Sequence, residues 1–426
     1  MTNDESVSAR EPSATEDSPV YPLWDTPRDG LPRVTDTPAL LAQAARKLAE
    51  GTGPVGVDAE RASGFRYGQR AFLVQLRREG SSTFLIDPEP FENLDSLHEA
   101  LAGVEWILHA STQDLPGLAE LGMWPDKLFD TELAARIAGL PKVGLAAVVE
   151  QLLGFTLAKE HSAVDWSERP LPEPWLNYAA LDVDVLADVR EKLVELLESQ
   201  NKLEFALEEF EAIRTADAPE PRVDPWRRTS GVHQIRDRQQ LAVVQELWEE
   251  REKIAQSRDI APGRLVPDSA IIAAAKAMPR TVPQLLGTPG FHGRAAGKDA
   301  PRWIAAIATG RKRTNPPPLH RASNAPPPPR LWSDKDPQAA ARLQTARARI
   351  ATLSEELTIP AENILTPDYL RRLAWRPPED MSPAQIGAVL ADMGARSWQV
   401  RLVADLISDA FTHPDPLPEK KSSPKS

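Results

Sequence analysis

The sequence predicts an α/β domain, a mixed sheet flanked by helices, followed by two all-α helical-bundle modules. Short apolar runs alternate with turn signals in the first third of the chain, and helical periodicity dominates after residue 131. Pro-rich interruptions at 216–230 and 315–330 break that periodicity. A chain in which strands come first and helices follow is typical of one α/β domain joined to separate helical modules.

These breaks set the domain boundaries that we expect. Composition predicts polar, disordered tails at both ends, because segments with few apolar residues cannot bury enough surface to fold. The expected order is an acidic tail at 1–33, the α/β domain at 34–217, a linker at 218–230, the first helical module at 231–314, a proline-rich linker at 315–331, the second helical module at 332–412 and a tail at 413–426.

Four apolar runs predict the strands of the sheet. VGVDAER at 55–61 is a buried strand that ends in charges, and AFLVQLRR at 71–78 and STFLID at 82–87 follow it at hairpin spacing. Short connections of this kind join antiparallel strands. EWILHA at 105–110 then predicts a further buried strand, so the sheet is expected to be mixed.

The helical modules show cap signals. Residues 234–255 are amphipathic, Thr281 is an expected N-cap, and Gly310 is the expected residue that closes the last helix of the first module. Seven prolines in 315–330 favour a semi-rigid polyproline II spacer. Residues 336–357 predict a long helix in the second module.

Composition limits the classes of function. The chain has 426 residues, no cysteine and a net charge of -12, which excludes disulfides and thiolate metal sites. The charge is uneven, with -16 over residues 34–217 and +9 over 220–330. A basic module can attract phosphates, although such charges also simply solvate surfaces. No apolar run is long enough for a membrane span, and the polar N-terminus lacks the features of a signal peptide.

Asp58 and Glu60 stand two positions apart at the end of the first predicted strand. Side chains at positions i and i+2 of a strand point to the same face. Two buried carboxylates on one face are costly unless a cation compensates their charge. The alternative is an ordinary solvated strand end, which carries such pairs often.

Asp114 follows the apolar run WILHA at the junction of a strand and a helix. Functional groups of α/β proteins are often placed at such junctions, although a carboxylate there also stabilises a helix N-terminus. His109, just before it, is interpreted as a packed histidine rather than a metal ligand.

Tyr178 and Asp182 form the third feature. Positions i and i+4 of a helix share a face, so the phenol and the carboxylate project together. Asp184 is the competing carboxylate, but it points away from Tyr178. The alternative is a tyrosine packed on a helix surface beside a solvated aspartate.

Together these segments resemble a known family. DAE at 58–60, HASTQD at 109–114 and YAALD at 178–182 resemble the three exonuclease motifs of the DEDD superfamily, in its tyrosine-containing branch. The segment VDWSERPLPEPWLNYAALDVDVL at 164–186 looks like ribonuclease D in particular. Residues 231–310 resemble the helicase-and-RNase-D C-terminal (HRDC) domain, and the second helical module is more loosely HRDC-like.

The resemblance implies a ribonuclease H-like fold and a metal-dependent 3′→5′ exoribonuclease. Two divalent cations, Mg²⁺ or Mn²⁺, would be held by Asp58, Glu60, Asp114 and Asp182, and Tyr178 would orient the attacking water. The products would be nucleoside 5′-monophosphates. The family also implies single-stranded 3′ ends of RNA as substrates, tRNA precursors among them, together with a monomeric state. The absence of targeting signals favours a cytoplasmic location.

The substrate contacts and two other functions stay open at this point. A DNA exonuclease is one alternative, because nothing in the sequence reads the 2′-hydroxyl group. A non-catalytic RNA-binding scaffold is the other, although the complete carboxylate set disfavours it. The predicted contacts to the nucleic-acid backbone are the basic residues Arg294, Lys298, Arg302, Arg311, Lys312 and Arg313.

Overall fold

The computed structural model describes residues 21–158, 164–217, 220–291, 297–321 and 325–417. Within these ranges, no helix combines the length and the apolar composition that crossing a membrane requires. Most of both predicted tails lies outside the described residues.

The α/β domain contains eight strands and eight helices among the described residues. In chain order they are β1 (Leu23–Trp24), β2 (Val34–Thr35), α1 (Pro38–Glu50), β3 (Thr52–Arg61), β4 (Ala71–Glu79), β5 (Ser82–Ile86), α2 (Asp95–Ala100), β6 (Glu105–Leu108), α3 (Leu115–Glu120), β7 (Lys127–Asp130), α4 (Thr131–Ile137), α5 (Leu145–Leu153), β8 (Thr156–Leu157), α6 (Glu173–Asp184), α7 (Leu186–Ser199) and α8 (Leu203–Arg214).

Six of the strands form one mixed sheet in the order β2-β5-β4-β3-β6-β7. The pairs β3–β4 and β4–β5 are antiparallel, whereas β2–β5, β3–β6 and β6–β7 are parallel. The predicted mixed sheet flanked by helices is therefore confirmed. Strand β3 lies inside the sheet, paired on both sides, and helix α6 packs across β3, β4 and β5.

The beginning of the described chain corrects the predicted tail boundary. Strand β1 pairs in parallel with β8, and the Trp24 indole Nε1 donates to Asp184 at 3.1 Å. The backbone N–H of Arg28 donates to the same carboxylate at 3.2 Å. Residues 21–33, expected in the disordered tail, thus pack on the α/β domain. Trp24 and Arg28 find partners more than 150 positions away, which local composition does not reveal.

The first helical module has its own hydrophobic core. Its helices are α9 (Arg238–Arg258), α10 (Pro262–Leu265), α11 (Asp268–Ala277), α12 (Val282–Leu286) and α13 (Ala300–Lys312). Trp226, from the predicted linker, is 3% exposed and belongs to this core. The module therefore begins before residue 231.

Gly310 corrects the expected end of the last helix in this module. Helix α13 continues past it to Lys312, and a Cβ on Gly310 would lie 2.7 Å from the Cα of Val243 in α9. The glycine is therefore required for the close approach of two helices, not for a chain reversal. The predicted N-cap Thr281 does accept a hydrogen bond from the backbone N–H of Gln284.

The second helical module packs directly on the α/β domain. Its helices are α14 (Trp332–Lys335), α15 (Pro337–Leu357), α16 (Ala361–Ile364), α17 (Pro367–Trp375), α18 (Pro383–Asp392) and α19 (Ser397–Thr412). Trp398 stacks on Phe205 of α8 with the ring centroids 4.7 Å apart, and its Nε1 donates to Glu209 at 3.0 Å. The buried side chains of this module and of the sheet form one continuous core.

The first module contacts the α/β domain through the C-terminal end of α9. Asp259 accepts a hydrogen bond from the Tyr67 backbone N–H at 3.2 Å and from Arg70 at 3.1 Å. The Arg264 guanidinium lies over the Phe65 ring at 3.9 Å. The loop that follows β3 is therefore held by the first module.

Candidate active site

Strand β3 places Asp58 and Glu60 on one face of the sheet. Asp58 is the register partner of Gln75 in β4, and Glu60 is the partner of Leu73. Alternation sends Ala59, between the two acids, to the opposite face. The sequence prediction that the two carboxylates share a face is therefore met by the strand's register.

Helix α6 brings Tyr178 and Asp182 to the same face. The Tyr178 hydroxyl is hydrogen-bonded to the Asp182 carboxylate, one helical turn later. A Cβ on Gly56 would lie 3.1 Å from the Val183 carbonyl oxygen. Because Gly56 has no side chain, the end of α6 can lie directly against β3, which sets Asp182 beside Asp58.

The carboxylates form a tight cluster. One oxygen from each of Asp58, Glu60 and Asp182 lies within 4.8 Å of the others. Asp114 and Tyr178 line the same cavity, which has a volume of about 230 Å³. The structure thus brings all five predicted site residues together, although Asp114 stands outside the three-carboxylate cluster.

Asp114 lies at the start of α3, opposite an arginine that the sequence analysis did not single out. Arg61 Nη2 is 3.7 Å from Asp114 Oδ1, and Arg61 Nη1 donates to the Gln113 carbonyl oxygen at 2.8 Å. Arg61 is the residue directly after Glu60, where β3 ends. Its position next to the DAE motif is the signal that would have identified it.

Burial disfavours the ionised form of the carboxyl groups in this cluster. Desolvation raises the pKa of Asp58 to about 6 and, with the charge of Asp58, raises the pKa of Asp114 to about 8. Desolvation and the neighbouring acids also raise the pKa of Glu60 and of Asp182 well above their ordinary values. Four acids with raised pKa values in one cavity call for a compensating positive charge.

The donor set fits a hard divalent cation. Its strong ligands are carboxylate oxygens, which Mg²⁺ and Mn²⁺ prefer. Protonation would otherwise be needed to neutralise the cluster. A bound cation would favour the ionised form of each carboxylate, so the residues present suit metal binding.

Tyr178 is suited to donate a hydrogen bond rather than to act as a base. Burial raises the pKa of its phenol above the ordinary value, and the charge of Asp182 acts in the same direction. The hydroxyl therefore keeps its proton at neutral pH. It can orient a polar group in the cavity while it remains bonded to Asp182.

His109 is anchored, in agreement with its interpretation as a packed histidine. Thr131 Oγ1 donates to the Leu108 carbonyl oxygen at 3.1 Å, so it accepts from His109 Nδ1 at 2.9 Å. Burial lowers the pKa of His109, which favours a neutral ring with its proton on Nδ1. The ring also lines the cavity.

Asp130 organises the loop that leads to α3, and the sequence analysis missed it. Its carboxylate accepts hydrogen bonds from the backbone N–H groups of Ala110, Ser111, Glu132 and Leu133, and from the Ser111 hydroxyl at 2.6 Å. Ala110 has a positive φ of 60°. The signal available in the sequence is an aspartate directly before a helix, after the apolar pair Leu128 and Phe129.

Asp184, the competitor of Asp182, is fully engaged elsewhere. Arg77 Nε donates to it at 2.7 Å, and Trp24 and the Arg28 backbone donate to its other oxygen. Asp184 is 1% exposed. It fixes the end of α6 to β4 and to the N-terminal segment, which leaves Asp182 as the carboxylate of this helix that faces the cavity.

Arg169 fixes the segment that precedes α6. Its guanidinium makes two hydrogen bonds to Asp87, at 2.6 and 2.8 Å, and donates to the carbonyl oxygens of Phe72 and Trp166. A two-point contact of this kind sets orientation as well as position. The segment DWSERPL at 165–171 therefore locks the start of α6 to the sheet.

The predicted nucleic-acid contacts differ in their availability. Arg302 pairs with Glu250 at 2.6 Å, and Arg313 donates to Gln245 at 2.9 Å, so both are already engaged. Arg294 lies outside the described residues. Three others form no hydrogen bond or ion pair with another described residue: Lys298, Arg311 and Lys312. All six contacts stay predictions.

Family models match all three parts of the chain. A 3′-5′ exonuclease model matches residues 32–198, and the HRDC domain model matches residues 240–307. A model described as the 3′ to 5′ exonuclease C-terminal domain matches residues 325–411. The second helical module thus matches a model of its own.

Two curated relatives of this chain are both ribonuclease D proteins. Ribonuclease D of Escherichia coli is 33% identical over 273 residues, which are 61% of this chain and 70% of that protein. Ribonuclease D of a Shewanella strain is 32% identical over 213 residues, 49% of this chain and 55% of that protein. The latter match therefore spans little more than half of its relative.

Two solved structures match the fold of this protein over nearly the whole chain. The crystal structure of a protein from Bifidobacterium adolescentis matches with a TM-score of 0.84 and 38% identity, covering 92% of this chain and 100% of that one. Escherichia coli RNase D, described as an exoribonuclease involved in structured RNA processing, matches with a TM-score of 0.64 and 25% identity. That match covers 90% of this chain and 99% of the other.

Proposed function

Because the chain belongs to the ribonuclease D family of hydrolytic 3′-5′ exoribonucleases, we propose that it trims the single-stranded 3′ ends of structured RNAs, tRNA precursors among them, with two divalent cations. The reaction class follows from membership of the family. The substrate and the number of cations are what we propose. Support for the substrate comes from the description of the Escherichia coli relative as an enzyme of structured RNA processing.

One observation carries the chemical part of the proposal. Carboxylate oxygens of Asp58, Glu60 and Asp182 lie within 4.8 Å of one another, and Asp114 lines the same cavity. These four residues would hold the cations. When bound, divalent cations supply an activated water and stabilise the charge on the departing 3′ oxygen.

The other residues of the cavity position the reacting groups. The Tyr178 hydroxyl donates to Asp182 and can accept one further hydrogen bond, which suits orientation of the attacking water. Arg61 lines the cavity beside Asp114 and would offer a cation to the RNA backbone. Attack on the last phosphodiester would release a nucleoside 5′-monophosphate and leave a strand one nucleotide shorter.

The proposal is tested with a 5′-labelled single-stranded RNA and a matched DNA of the same sequence. We expect a ladder that shortens from the 3′ end of the RNA with Mg²⁺ or Mn²⁺ and no shortening with EDTA. In Asp58→Asn the rate should fall by at least about a hundredfold, since even groups that only support a metal ligand contribute ten- to a hundredfold. Glu120→Gln, an exposed acid on α3, is the matched control and should keep full activity.

Three results would contradict the proposal. Shortening that continues in EDTA would exclude the metal mechanism. Full activity in Asp58→Asn would remove the carboxylate cluster from the reaction. Intact RNA beside shortened DNA would reassign the substrate to DNA.

A further inference from the structure

The first helical module contains a second cavity, far from the carboxylate cluster, which we term the basic groove. It has a volume of about 370 Å³ and is lined by Arg227, Arg236, Arg321, His233 and His320 above an apolar floor. No carboxylate lines it among the described residues. Arg227 is paired with Asp224, which lies outside the lining, at 3.2 Å, whereas Arg236 and Arg321 have no such acidic partner among the described residues. Guanidinium groups around a cavity that no carboxylate lines favour an anionic ligand.

The proline-rich spacer forms one wall of the basic groove. Arg227 donates to the Pro318 carbonyl oxygen at 3.0 Å, and Arg238 donates to Pro317 at 3.3 Å and to Pro316. The first part of the predicted linker is therefore fixed to the module. These contacts place the residues directly after Pro318 along the rim of the groove.

The remaining cations of the groove are available. Arg236, Arg321, His233 and His320 are exposed and form no hydrogen bond or ion pair with another described residue. The nearby Asp237 is occupied, because it caps α9 by accepting from two backbone N–H groups. The two arginines can thus bind phosphate oxygens without losing a protein partner.

The floor of the groove is apolar. Val232, Ile235, Leu241 and Leu319 supply it, and the two histidine rings stand beside it. Apolar floors and imidazole rings accept the face of an unstacked base, while arginines bind the phosphates on either side. This combination suits a nucleotide within a single strand better than it suits an inorganic anion.

Helix α9 connects the basic groove to the loop that follows β3, the strand that carries Asp58 and Glu60. The groove includes Leu241, near the start of α9, whereas Asp259 at its other end contacts the loop after β3. A rise of 1.5 Å per residue separates these two positions by about 27 Å. At 3.4 Å per stacked nucleotide, this distance corresponds to about eight nucleotides of one strand.

We propose that the basic groove binds the RNA strand about eight nucleotides or more upstream of the 3′ end held in the active site. This inference rests on the proposed action on RNA and adds a second contact point to it. The groove would anchor long substrates during trimming, and a tetranucleotide would be too short to reach it.

The test compares Arg236→Gln/Arg321→Gln with the matched control Arg46→Gln/Arg347→Gln, two exposed arginines outside the groove. Dissociation constants of the full chain are measured in EDTA, with fluorescein-labelled oligoadenylates of four and twenty nucleotides. We expect the constant for the long strand to rise about tenfold relative to that for the tetranucleotide in the groove variant only. The slope of log Kd against log salt should fall by about 1.4, since each single-strand phosphate contact contributes about 0.7.

Two outcomes would overturn the basic groove as an RNA site. One is the same ratio between the dissociation constants of the long strand and the tetranucleotide in the groove variant and in the control. The other is loss of binding of free adenosine 5′-monophosphate with unchanged RNA binding, which would assign the groove to a free nucleotide. Hydrolysis of the tetranucleotide by the wild-type chain with Mg²⁺ is measured in parallel. If the tetranucleotide is not hydrolysed, the proposed function itself is contradicted. If it is hydrolysed, a negative result with the long strand contradicts only the RNA site in the groove.

Discussion

Gln75 lies directly opposite Asp58 in the β3–β4 pair, and it is fully buried. Neither its side-chain oxygen nor its nitrogen has a hydrogen-bond partner among the described residues. A buried amide without partners destabilises the folded state. The sheet therefore carries an unsatisfied polar group immediately beside a residue of the candidate active site.

Replacement of Gln75 by methionine should stabilise the protein. Methionine keeps nearly the same volume and removes the unsatisfied amide, so we expect the free energy of unfolding to rise by about 1 kcal/mol. Urea denaturation in EDTA measures it. Gln385→Met, at an exposed position of α18, is the control and should change little. A lower stability of Gln75→Met would mean that the amide has a partner, such as a bound water.

Asp114→Asn should stabilise the metal-free protein in a pH-dependent way. Burial raises the pKa of Asp114 to about 8, above the ordinary value of 3.8 that applies in the unfolded chain. The folded state thus holds this proton more tightly, and stability falls as pH rises from about 4 to 8. The variant has no proton to lose at this position. Its melting temperature in EDTA should exceed the wild-type value at pH 8 and approach it near pH 4.

The same variant should lose activity, because it removes a carboxylate from the cavity that would hold the cations. Asp36→Asn, an exposed aspartate before α1, is the control for both measurements. A melting temperature of Asp114→Asn below the wild-type value at pH 8 would contradict the assigned cost of burying this charge.

Tyr178→Phe tests whether the phenol orients a group or transfers a proton. Loss of one hydrogen bond of about 1.4 kcal/mol should lower kcat about tenfold, with little change in KM. The pKa of Tyr178 is raised above its ordinary value, so the phenol stays protonated through the neutral range. The pH profile of the residual activity should therefore keep its shape. Loss of a limb of that profile in the variant would indicate proton transfer by Tyr178.

The sequence predicted those parts of the site that depend on local periodicity. Asp58 and Glu60 share a face because a strand alternates, and Tyr178 contacts Asp182 because a helix repeats every 3.6 residues. Its place at the junction of a strand and a helix, and the resemblance to the DEDD exonuclease motifs, added Asp114 to this set. All five residues line one cavity.

The contacts that hold these segments in place could not be predicted in the same way. Asp130 and Asp184 have partners that come from other elements, and a single sequence shows no sign of which distant groups they bind. The packing of residues 21–33 could not be predicted for the same reason, since Trp24 binds Asp184, which is distant in the sequence. An amphipathic helix shows that a face is buried, but not which surface covers it.

Trp398→Ala tests whether the second helical module is a separate unit or part of the α/β domain. The Trp398 indole is fully buried, stacks on Phe205 and bonds Glu209 of α8. Because the module shares one core with the sheet, we expect the two to unfold in a single transition in the wild type. Removal of a buried tryptophan costs about 3–5 kcal/mol, so the variant should unfold at a lower urea concentration.

Trp332→Ala removes an equally buried indole inside the second module and is the matched comparison. Early hydrogen exchange of α8 in Trp398→Ala, but not in Trp332→Ala, would establish docking through this side chain. A separate early transition of the second module in the wild type would show instead that it folds independently of the sheet.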